Sequence, residues 1–467
     1  MEETVNALTS LLRDLGLNDP QLSEAIEFQG PAPELQSPHK LASATAAAIA
    51  AQAATVMELW RMRTGEQQTV RVDFSDSVHA LRPGRYQKQN GYSLDPHNIV
   101  NEPVNGFFQC RDGKWIFFVG AYPHLRNGLL RVVDSANTKE ALSAAVAKWD
   151  SGTLEETLSA EGLTAGVIRT PQEWRSHQHG SQMVGAPVVT IEKIGESEPE
   201  PLGRALRPLS GLRVLDLTHI IAGPVVARTL AEQGADVLHI TVPELPDPLP
   251  MIMDTGIGKR NAYLDLKKLE DVSRMRTLCR EADIFVQSWR PGSVARLGFG
   301  PEEVSRLRPG VIYVSVSAFG DGPWGDRAAF DQIAQSVTGI AHTEGAGGPP
   351  RLVPTYLLND YLCGYLGAAG VNAALIKRAK EGGSYHVKIS LAGTSMWVQS
   401  FGLLPTNQDM QGAQIDPISN PRYQRRNSAF GELHQLAPVA EFSRTVASWD
   451  LPPAPLGAHL AEWLPLA

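Results

Sequence analysis

The stretch LSGLRVLDLTHIIAGPVVARTLAEQGADVLHI, residues 209–240, contains two apolar runs typical of strands with a helical pattern between them. The first run ends at Thr218-His219, and the Gly223-Pro224 pair then opens the helix. Two apolar strands joined by a helical crossover predict a parallel β-α-β unit. The N–H groups at the start of such a helix can receive phosphate or adenine-ribose groups, although the same unit also occurs in α/β cores that bind no nucleotide.

Strand and helix patterns keep alternating beyond this unit. A helical pattern covers residues 269–281, and the apolar runs DIFVQSW (residues 283–289) and GVIYVSVSAF (residues 310–319) are typical of strands. The sequence therefore predicts an α/β fold with a Rossmann-like parallel sheet. The first strand-turn-helix lacks the glycine fingerprint GxGxxG, which disfavours an NAD-dependent dehydrogenase.

The composition is that of an ordinary globular chain, with 43% hydrophobic and 20% charged residues over 467 positions, enough for two or three domains. The net charge of −8 comes without a basic stripe, so nucleic-acid binding is not expected. Cys110, Cys279 and Cys363 lie far apart and outside CxxC patterns, which predicts neither a disulfide framework nor a metal site. Because no signal peptide and no membrane span are visible, we expect a cytoplasmic protein.

Changes in composition divide the chain into five segments. The run FFQCRDGKWIFFVG (residues 107–120) predicts a hairpin that turns at Asp112-Gly113, and residues 192–208, rich in Glu, Pro and Gly, predict a linker. From residue 438 onward, prolines and tryptophans predict an extended arm that packs on a neighbour. The segments are a helical extension with a linker (1–38), a helix-strand segment (39–80), a smaller α+β domain with a linker (81–200), the Rossmann-like unit (205–400) and a C-terminal arm (401–467).

A weak internal repeat distinguishes Asp76 from the other aspartates of the chain. An alanine-rich helical pattern, a glycine stop and a strand occur in residues 41–72 and again in residues 357–391. The two strands read VRVDFSDSV (residues 70–78) and VKISLAGTS (residues 387–395), so the register aligns Asp76 with Gly393. An aspartate before a serine is also common at strand ends and turns, where it accepts a backbone hydrogen bond.

Four further blocks of sequence carry a resemblance to a known family. Together with residues 209–240 they resemble the N-terminal half of the class III CoA-transferases (the CaiB/BaiF family, with formyl-CoA transferase, carnitine CoA-transferase and α-methylacyl-CoA racemase among its members). The resemblance covers roughly residues 205–395. The run FFQCRDGKWIFF (residues 107–118), the helical patterns up to Leu163, and GVIRTPQEW (residues 166–174) with the stretch that follows it resemble the small domain and linker of the C-terminal half, so the half-modules stand in permuted order. The blocks are GIGKRNAYLDLK (256–267), QSWRPGSVARLGFG (287–300), RPGVIYVSVSAFGDGPWGDRAAFDQIAQSVTG (308–339) and NDYLCGYLGAAGVNAALIKR (359–378).

The resemblance implies a CoA-binding Rossmann-like domain in which coenzyme A or an acyl-CoA is a substrate and no cofactor is held permanently. Cations near strand ends suit the phosphates of CoA, although they are equally compatible with a solvated surface. The implied CoA-binding residues are His219, Ile220, Ala222, Lys259, Arg260, Arg290 and Arg296.

The resemblance also implies a catalytic carboxylate on the strand after the alanine-rich helix. The C-terminal copy has Gly393 there, which cannot act as a nucleophile, whereas the N-terminal copy has Asp76. The implied activity moves CoA between an acyl-CoA and a carboxylic acid through an aspartyl intermediate. If the half-modules exchange between chains, the protein is an intertwined homodimer.

Three functions remain open at this stage, and the CoA-transferase is the first of them. Asp331 and Asp360 stand where the family has acidic residues near the thioester, so a racemase, isomerase or lyase that uses either as a base is possible. Phe330 replaces the histidine that the racemases use beside this acid, which favours the transferase. Asp331 is also a suitable residue for a helix N-terminus. Because Gly393 leaves one nucleophile position empty, a non-catalytic acyl-CoA binding protein is the third alternative.

Overall fold

The structure, a computed structural model, describes residues 1–33, 35–94, 102–405 and 421–465. Its helices are α1 (Glu2–Asp14), α2 (Pro20–Glu24), α3 (Leu41–Thr64), α4 (Phe74–His79), α5 (Pro83–Tyr86), α6 (Pro123–Val133), α7 (Lys139–Val146), α8 (Ser151–Ala160), α9 (Pro171–Ser176), α10 (Gly180–Met183), α11 (Ala222–Glu232), α12 (Leu249–Thr255), α13 (Leu269–Glu281), α14 (Ser293–Arg296), α15 (Pro301–Leu307), α16 (Asp331–Thr338), α17 (Ile340–Glu344), α18 (Asn359–Glu381) and α19 (Leu391–Gln399). Its strands are β1 (Ile26–Gln29), β2 (Val70–Asp73), β3 (Lys88–Gln89), β4 (Tyr92–Ser93), β5 (Gly106–Gln109), β6 (Trp115–Phe118), β7 (Ala165–Val167), β8 (Val189–Gly195), β9 (Arg213–Leu217), β10 (Asp236–Thr241), β11 (Lys259–Tyr263), β12 (Ile284–Gln287), β13 (Ile312–Ser317), β14 (Ser384–Ser390), β15 (Tyr423–Ser428), β16 (Gly431–Leu436) and β17 (Glu441–Phe442).

A seven-stranded sheet in the order β11-β10-β9-β12-β13-β14-β8 organises the C-terminal half. Its neighbours pair in parallel, except for β14 and β8, which are antiparallel. This confirms the predicted α/β fold with a Rossmann-like parallel sheet. The chain adds β10 and β11 on one side of β9, and then β12, β13 and β14 on the other, so the strand order switches between β9 and β12. The carboxyl ends of strands at such a switch point open a crevice for ligands.

The sequence pattern predicts neither of the outer strands of this sheet. β11 carries Lys259, Arg260 and Asn261, and these polar residues obscure a strand that pairs with β10. β8 pairs with β14 through Gly195, so the predicted linker, residues 192–208, begins only after that residue. Both strands depend on partners that are distant in the sequence, which local patterns do not show.

The small α+β unit contains the predicted hairpin. β5 and β6 pair antiparallel, and Gly113 in the connecting turn has a φ of 79°, a conformation that favours glycine. β7 extends the hairpin to three strands. Helices α6, α7 and α8 contribute Leu129, Leu142 and Leu154 to a separate hydrophobic core with Phe108. This unit therefore folds around its own core and presents one side to the large sheet.

The internal repeat is visible as two long helices packed together. α3 ends at Gly65, which has a φ of 77°, and α18 ends before Gly382. The two helices are buried along most of their length, and the Asn372 side chain donates a 2.9 Å hydrogen bond to Thr55 across their contact. Small residues allow this close approach. No helix within the described ranges has the combined length and hydropathy needed to cross a bilayer.

In the described residues, the C-terminal arm packs on its own chain, and its packing on a neighbouring chain stays a prediction. The indole N–H groups of Trp449 and Trp463 donate to the backbone carbonyls of Arg228 and Leu278, at 2.9 and 3.1 Å. These bonds satisfy the polar end of each indole while the ring is buried. Residues 406–420 of the predicted arm lie outside the described residues.

Candidate active site

A groove of about 220 Å³ lies at the switch point of the large sheet. One wall comes from the small domain and the other from the loops that follow β9, β12 and β13. The first wall includes Tyr122 and Leu125, and the second includes His219, Ile220, Trp289, Arg290, Phe330 and Asp360. The position is the one where doubly wound sheets bind their ligands.

The loop after β9 is held in a strained conformation at the groove. Ile220 has a φ of 66°, a left-handed conformation that costs a β-branched residue about 1–3 kcal/mol. Its backbone N–H donates to Asp247 Oδ2 at 2.8 Å, and the Tyr122 hydroxyl donates to Asp247 Oδ1 at 2.7 Å. Asp247 therefore ties this loop to the small domain, and burial together with Asp247 raises the pKa of Tyr122.

His219 forms the floor of the groove with an aromatic neighbour. Its ring stacks on Trp289 with the ring centres 4.3 Å apart, and its backbone N–H donates to Ser288 Oγ at 3.1 Å. Burial lowers the pKa of His219, so the ring is neutral near pH 7. A neutral imidazole on an indole gives a flat, mainly apolar surface that suits a neutral part of a ligand.

The structure places Lys259 and Arg260 away from solvent. Lys259 Nζ lies 2.8 Å from Asp216 Oδ2, and Arg260 Nη2 lies 3.1 Å from Asp236 Oδ1. The family resemblance implies that these residues bind the phosphates of CoA. In the structure, neighbours on β11 point to opposite faces of the sheet, and each of the two cations meets a carboxylate of the chain. With these partners in place, a role of either cation in CoA binding stays a prediction.

The other two predicted cations are exposed. Arg290 lines the groove and donates from Nη2 to the carbonyl of Gly162 in the small domain at 2.7 Å. Arg296 lies outside the groove and donates to Ser293 Oγ at 3.3 Å. Ala222 lines the groove at the first turn of α11. The structure therefore brings His219, Ile220, Ala222 and Arg290 together.

Asp331 and Asp360 have different surroundings, although the backbone N–H of Asp360 contacts the Asp331 carboxyl group. Asp331 is fully buried, and its Oδ2 accepts the backbone N–H groups of Leu358 and Asp360 at 2.9 and 2.8 Å, while Gln335 donates to Oδ1. It therefore holds the start of α18 in place. Asp360 is 6% exposed and lines the groove, and no described side chain donates to its carboxyl group. Burial and the neighbouring Asp331 raise the pKa of Asp360 well above its usual value.

This raised pKa predicts a pH-dependent stability difference. An acid with a higher pKa in the folded state binds more protons when folded, so its stabilising effect is full at low pH and is lost as the pH rises. We expect Asp360→Asn to raise the thermal midpoint relative to the unaltered protein at pH 8, and to raise it much less at pH 4.5. The measurement is differential scanning calorimetry at both pH values. An equal difference at the two pH values would contradict the raised pKa.

Asp76 lies on the other copy of the repeat, at the first turn of α4. Its backbone N–H donates to Asp73 Oδ1 at 3.0 Å, and the backbone N–H of Gly393 donates to Ser390 Oγ at 3.1 Å in the same way. The structure thus confirms the predicted register of the repeat. Asp76 does not line the groove formed by the described residues.

The Asp76 carboxylate has two basic neighbours. Arg422 Nε donates to Oδ2, and His79 Nδ1 lies 3.4 Å from Oδ1. Burial favours the neutral acid, but the bonds with His79 and Arg422 outweigh burial and lower the pKa of Asp76. The side chain is 15% exposed, and its lowered pKa makes it an ionised carboxylate at neutral pH. Among the described residues, no cluster of three histidine, cysteine or acidic side chains could hold a metal ion.

Sequence reasoning does not single out Trp289 and Tyr122, which line the groove, or Asp247, which accepts hydrogen bonds from Tyr122 and Ile220. Trp289 stands inside the block QSWRPGSVARLGFG, and its place directly after a strand is a signal that could have identified it. Tyr122 and Asp247 have no local signal, because their contact joins the small domain to the loop after β10. Only the tertiary fold brings these two residues to Ile220.

The fold and the groove define a doubly wound α/β protein in which a small α+β unit forms one wall of the crevice at the switch point. A sequence profile described as CoA-transferase family III matches residues 27–196 and 209–436. The chain therefore belongs to CoA-transferase family III, and the resemblance seen in the sequence is confirmed.

The sequence identity and the coverage of three similar proteins show how far this chain resembles them. An acetyl-coenzyme A transferase, nodX, from Hypoxylon pulicicidum is 33% identical over 355 residues, which cover 70% of this chain and 59% of that protein. An acyl-CoA transferase from Gibberella moniliformis is 27% identical over 68% of this chain and 65% of its own length. A crystal structure of a CaiB/BaiF family protein from Brucella suis covers 49% of this chain and 65% of that chain, at 27% identity and a TM-score of 0.38. The chain thus spans about three fifths of these two curated relatives.

Proposed function

We propose that the chain takes part in the transfer of CoA from an acyl-CoA to a carboxylic acid, with Asp76 as the nucleophile. The observation that carries this proposal is the ionised Asp76 carboxylate at the first turn of α4, at the repeat position that Gly393 leaves empty. Two of the similar proteins are named as an acetyl-CoA transferase and an acyl-CoA transferase, which supports the same activity for this chain.

The proposed chemistry exchanges one thioester for another. The Asp76 carboxylate attacks the acyl carbonyl and releases the CoA thiolate, which gives a mixed anhydride. The thiolate then attacks the Asp76 carbonyl and releases the acyl carboxylate, which leaves an aspartyl-CoA thioester. The acceptor carboxylate repeats both steps in reverse order, so a new acyl-CoA is formed and Asp76 is regenerated as a carboxylate. No redox partner or metal is needed.

The groove supplies the proposed site for the thioester. His219 and Trp289 offer a flat apolar surface for the neutral arm of CoA, and Arg290 offers an exposed cation for a phosphate. His79 and Arg422 keep Asp76 ionised in the resting protein, which is the form that the proposed attack needs.

We further propose that two copies of the chain form an intertwined dimer in the cytoplasm. Asp76 does not line the groove of its own chain within the described residues, so the thioester that it attacks would lie in the groove of the other copy. Three buried and unpaired cysteine thiols are compatible with a reducing compartment.

Trapping of the intermediate tests this function. The purified protein is incubated with acetyl-CoA and other acyl-CoAs and then treated with borohydride or hydroxylamine, and the peptides are analysed by mass spectrometry. We expect a modification on Asp76, because both reagents react with an aspartyl thioester. A protein that binds CoA but shows neither this adduct nor any turnover would instead be an acyl-CoA binding protein.

One observation favours a second function, proton transfer at the α-carbon of an acyl-CoA. Asp360 lines the groove with a raised pKa and no described hydrogen-bond donor, as expected of a general acid or base. Phe330 stands beside Asp331 and cannot act as the second base, which counts against a racemase. Exchange of α-protons in deuterium oxide that is lost in Asp360→Asn, without an adduct on Asp76, would establish this function.

A further inference from the structure

A cavity larger than the groove lies beside it, on one face of the large sheet. It has a volume of about 600 Å³, and Trp289 and Ser317 line both the cavity and the groove. The floor of this sheet-face cavity is formed by β12, β13 and β14, which contribute Gln287, Ser315 and His386. None of these three residues has a role in the proposed transfer of CoA. The sheet-face cavity is therefore a second place where a ligand can meet polar side chains.

The polar side chains on this floor form a hydrogen-bonded chain. Gln287 and Ser315 are register partners on β12 and β13, and Gln287 Nε2 donates to Ser315 Oγ at 2.9 Å. Ser315 Oγ in turn lies 2.8 Å from His386 Nε2 on β14. A hydroxyl within hydrogen-bond distance of an imidazole nitrogen is the arrangement of a serine nucleophile and its base.

The backbone of Trp289 fixes the direction of these hydrogen bonds. Its N–H donates to Gln287 Oε1 at 3.0 Å, so the amide oxygen of Gln287 faces Trp289 and the amide N–H faces Ser315. Because Ser315 Oγ accepts this N–H, its own hydrogen is available for His386 Nε2. The hydroxyl proton is thus directed at the nitrogen that would remove it.

His386 is neutral and can accept this proton. The residue is 9% exposed, and burial together with Lys388 lowers the pKa of His386 to about 4. Two acids lie near, Glu192 on β8 and Asp321 in the loop after β13, and both pair with Lys388 Nζ, at 2.8 and 3.0 Å. Because these acids bind Lys388, the imidazole of His386 is the base that contacts the Ser315 hydroxyl.

The other walls of the sheet-face cavity suit an acyl group. Val294, Met396 and Trp397 provide apolar surface for a hydrocarbon chain. Lys388 and the amide of Gln287 also line the cavity and provide a cation and an N–H donor. Such groups stabilise the negative charge that forms on a carbonyl oxygen when a nucleophile attacks the carbonyl carbon.

We infer that Ser315 and His386 act as nucleophile and base in the hydrolysis of carboxylic esters in the sheet-face cavity. Ser315 Oγ attacks the ester carbonyl carbon, its proton moves to His386 Nε2, and the alcohol leaves with that proton. Water then attacks the acyl-serine while His386 takes a proton from it. This proton passes to Ser315 Oγ as the carboxylic acid is released, which regenerates both side chains.

Labelling with a fluorophosphonate tests the nucleophile in the unaltered full chain. The reagent forms a bond between phosphorus and a nucleophilic serine oxygen and releases fluoride, and peptide mass spectrometry locates the adduct. We expect the adduct on Ser315, and we expect His386→Gln to slow its formation at least about 100-fold, the usual contribution of a general base. An unaltered protein with no adduct on Ser315 would overturn the inference, and this result does not depend on how any variant folds.

Turnover of p-nitrophenyl butyrate tests the activity itself. Ser315→Ala and His386→Gln are each expected to lower the initial rate at least about 100-fold. Ser400→Ala is the matched control, because Ser400 lines the same cavity but its hydroxyl donates to the carbonyl of Trp397 at 2.6 Å. This control is expected to keep the full rate. A rate that Ser315→Ala leaves unchanged, or that Ser400→Ala lowers equally, would show that Ser315 is not the nucleophile.

Discussion

Replacing Asp76 with asparagine is expected to lower the rate of CoA transfer by about 10³-fold or more, the scale seen when a catalytic nucleophile is removed. The amide is a poor nucleophile, and it cannot form the anhydride or the aspartyl thioester. Because the groove lies elsewhere in the chain, the affinity for CoA should stay unchanged. The measurements are the initial rate of transfer and the dissociation constant of CoA for the same preparation.

Asp73 provides a matched control for this prediction. It also carries a carboxylate in the same repeat segment, and its Oδ1 accepts the backbone N–H of Asp76. Asparagine caps a helix as well as aspartate does, so Asp73→Asn should keep both the fold of α4 and the transfer rate. Equal rates for Asp76→Asn and the unaltered protein would show that Asp76 is not the nucleophile.

Replacing Asp331 with asparagine is expected to lower the free energy of unfolding by about 3 kcal/mol or more. The carboxylate accepts backbone N–H groups on one oxygen and the Gln335 and Asn359 side chains on the other. An amide offers only one oxygen, so it leaves two buried donors facing its own N–H groups. Urea unfolding at pH 7, followed by tryptophan fluorescence, measures the change.

The exposed Asp326, in the loop that leads into α16, is the control for Asp331. Asp326→Asn removes the same charge at the surface and is expected to change the free energy of unfolding by less than about 0.5 kcal/mol. If Asp331→Asn also changes it by less than about 1 kcal/mol, the start of α18 does not depend on these hydrogen bonds.

Local patterns predicted the parallel core well, because its strands are nearly continuous apolar runs. Helix α13 has the predicted bounds, and β9, β10, β12 and β13 lie within the predicted runs. Edge strand β11 could not be predicted in this way. Its Lys259 and Arg260 are buried only because Asp216 and Asp236, on β9 and β10, neutralise them. These two cations are therefore buried because of the pairing between strands, which the local sequence does not show.

In the candidate site, too, some residues could be predicted from the local sequence and others depend on the tertiary fold. His219 and Asp360 could be predicted because they stand in recognisable blocks, and both line the groove. The contact of Asp247 with Tyr122 and Ile220 could not be predicted, because it needs the small domain to be docked on the sheet. The place of Asp76 in the repeat was predictable from its register with Gly393, whereas its partner Arg422 is 346 positions away in the chain.

The C-terminal arm also affects the tendency of the protein to aggregate. β11 ends the large sheet, and an uncovered edge strand is a template onto which strands of other molecules can add. Here the arm occupies that edge, since the backbone N–H groups of Gly258 and His459 bond with the carbonyls of Leu451 and Asn261, both at 2.9 Å. This part of the arm thus blocks the edge of the large sheet and hinders the addition of strands from other molecules.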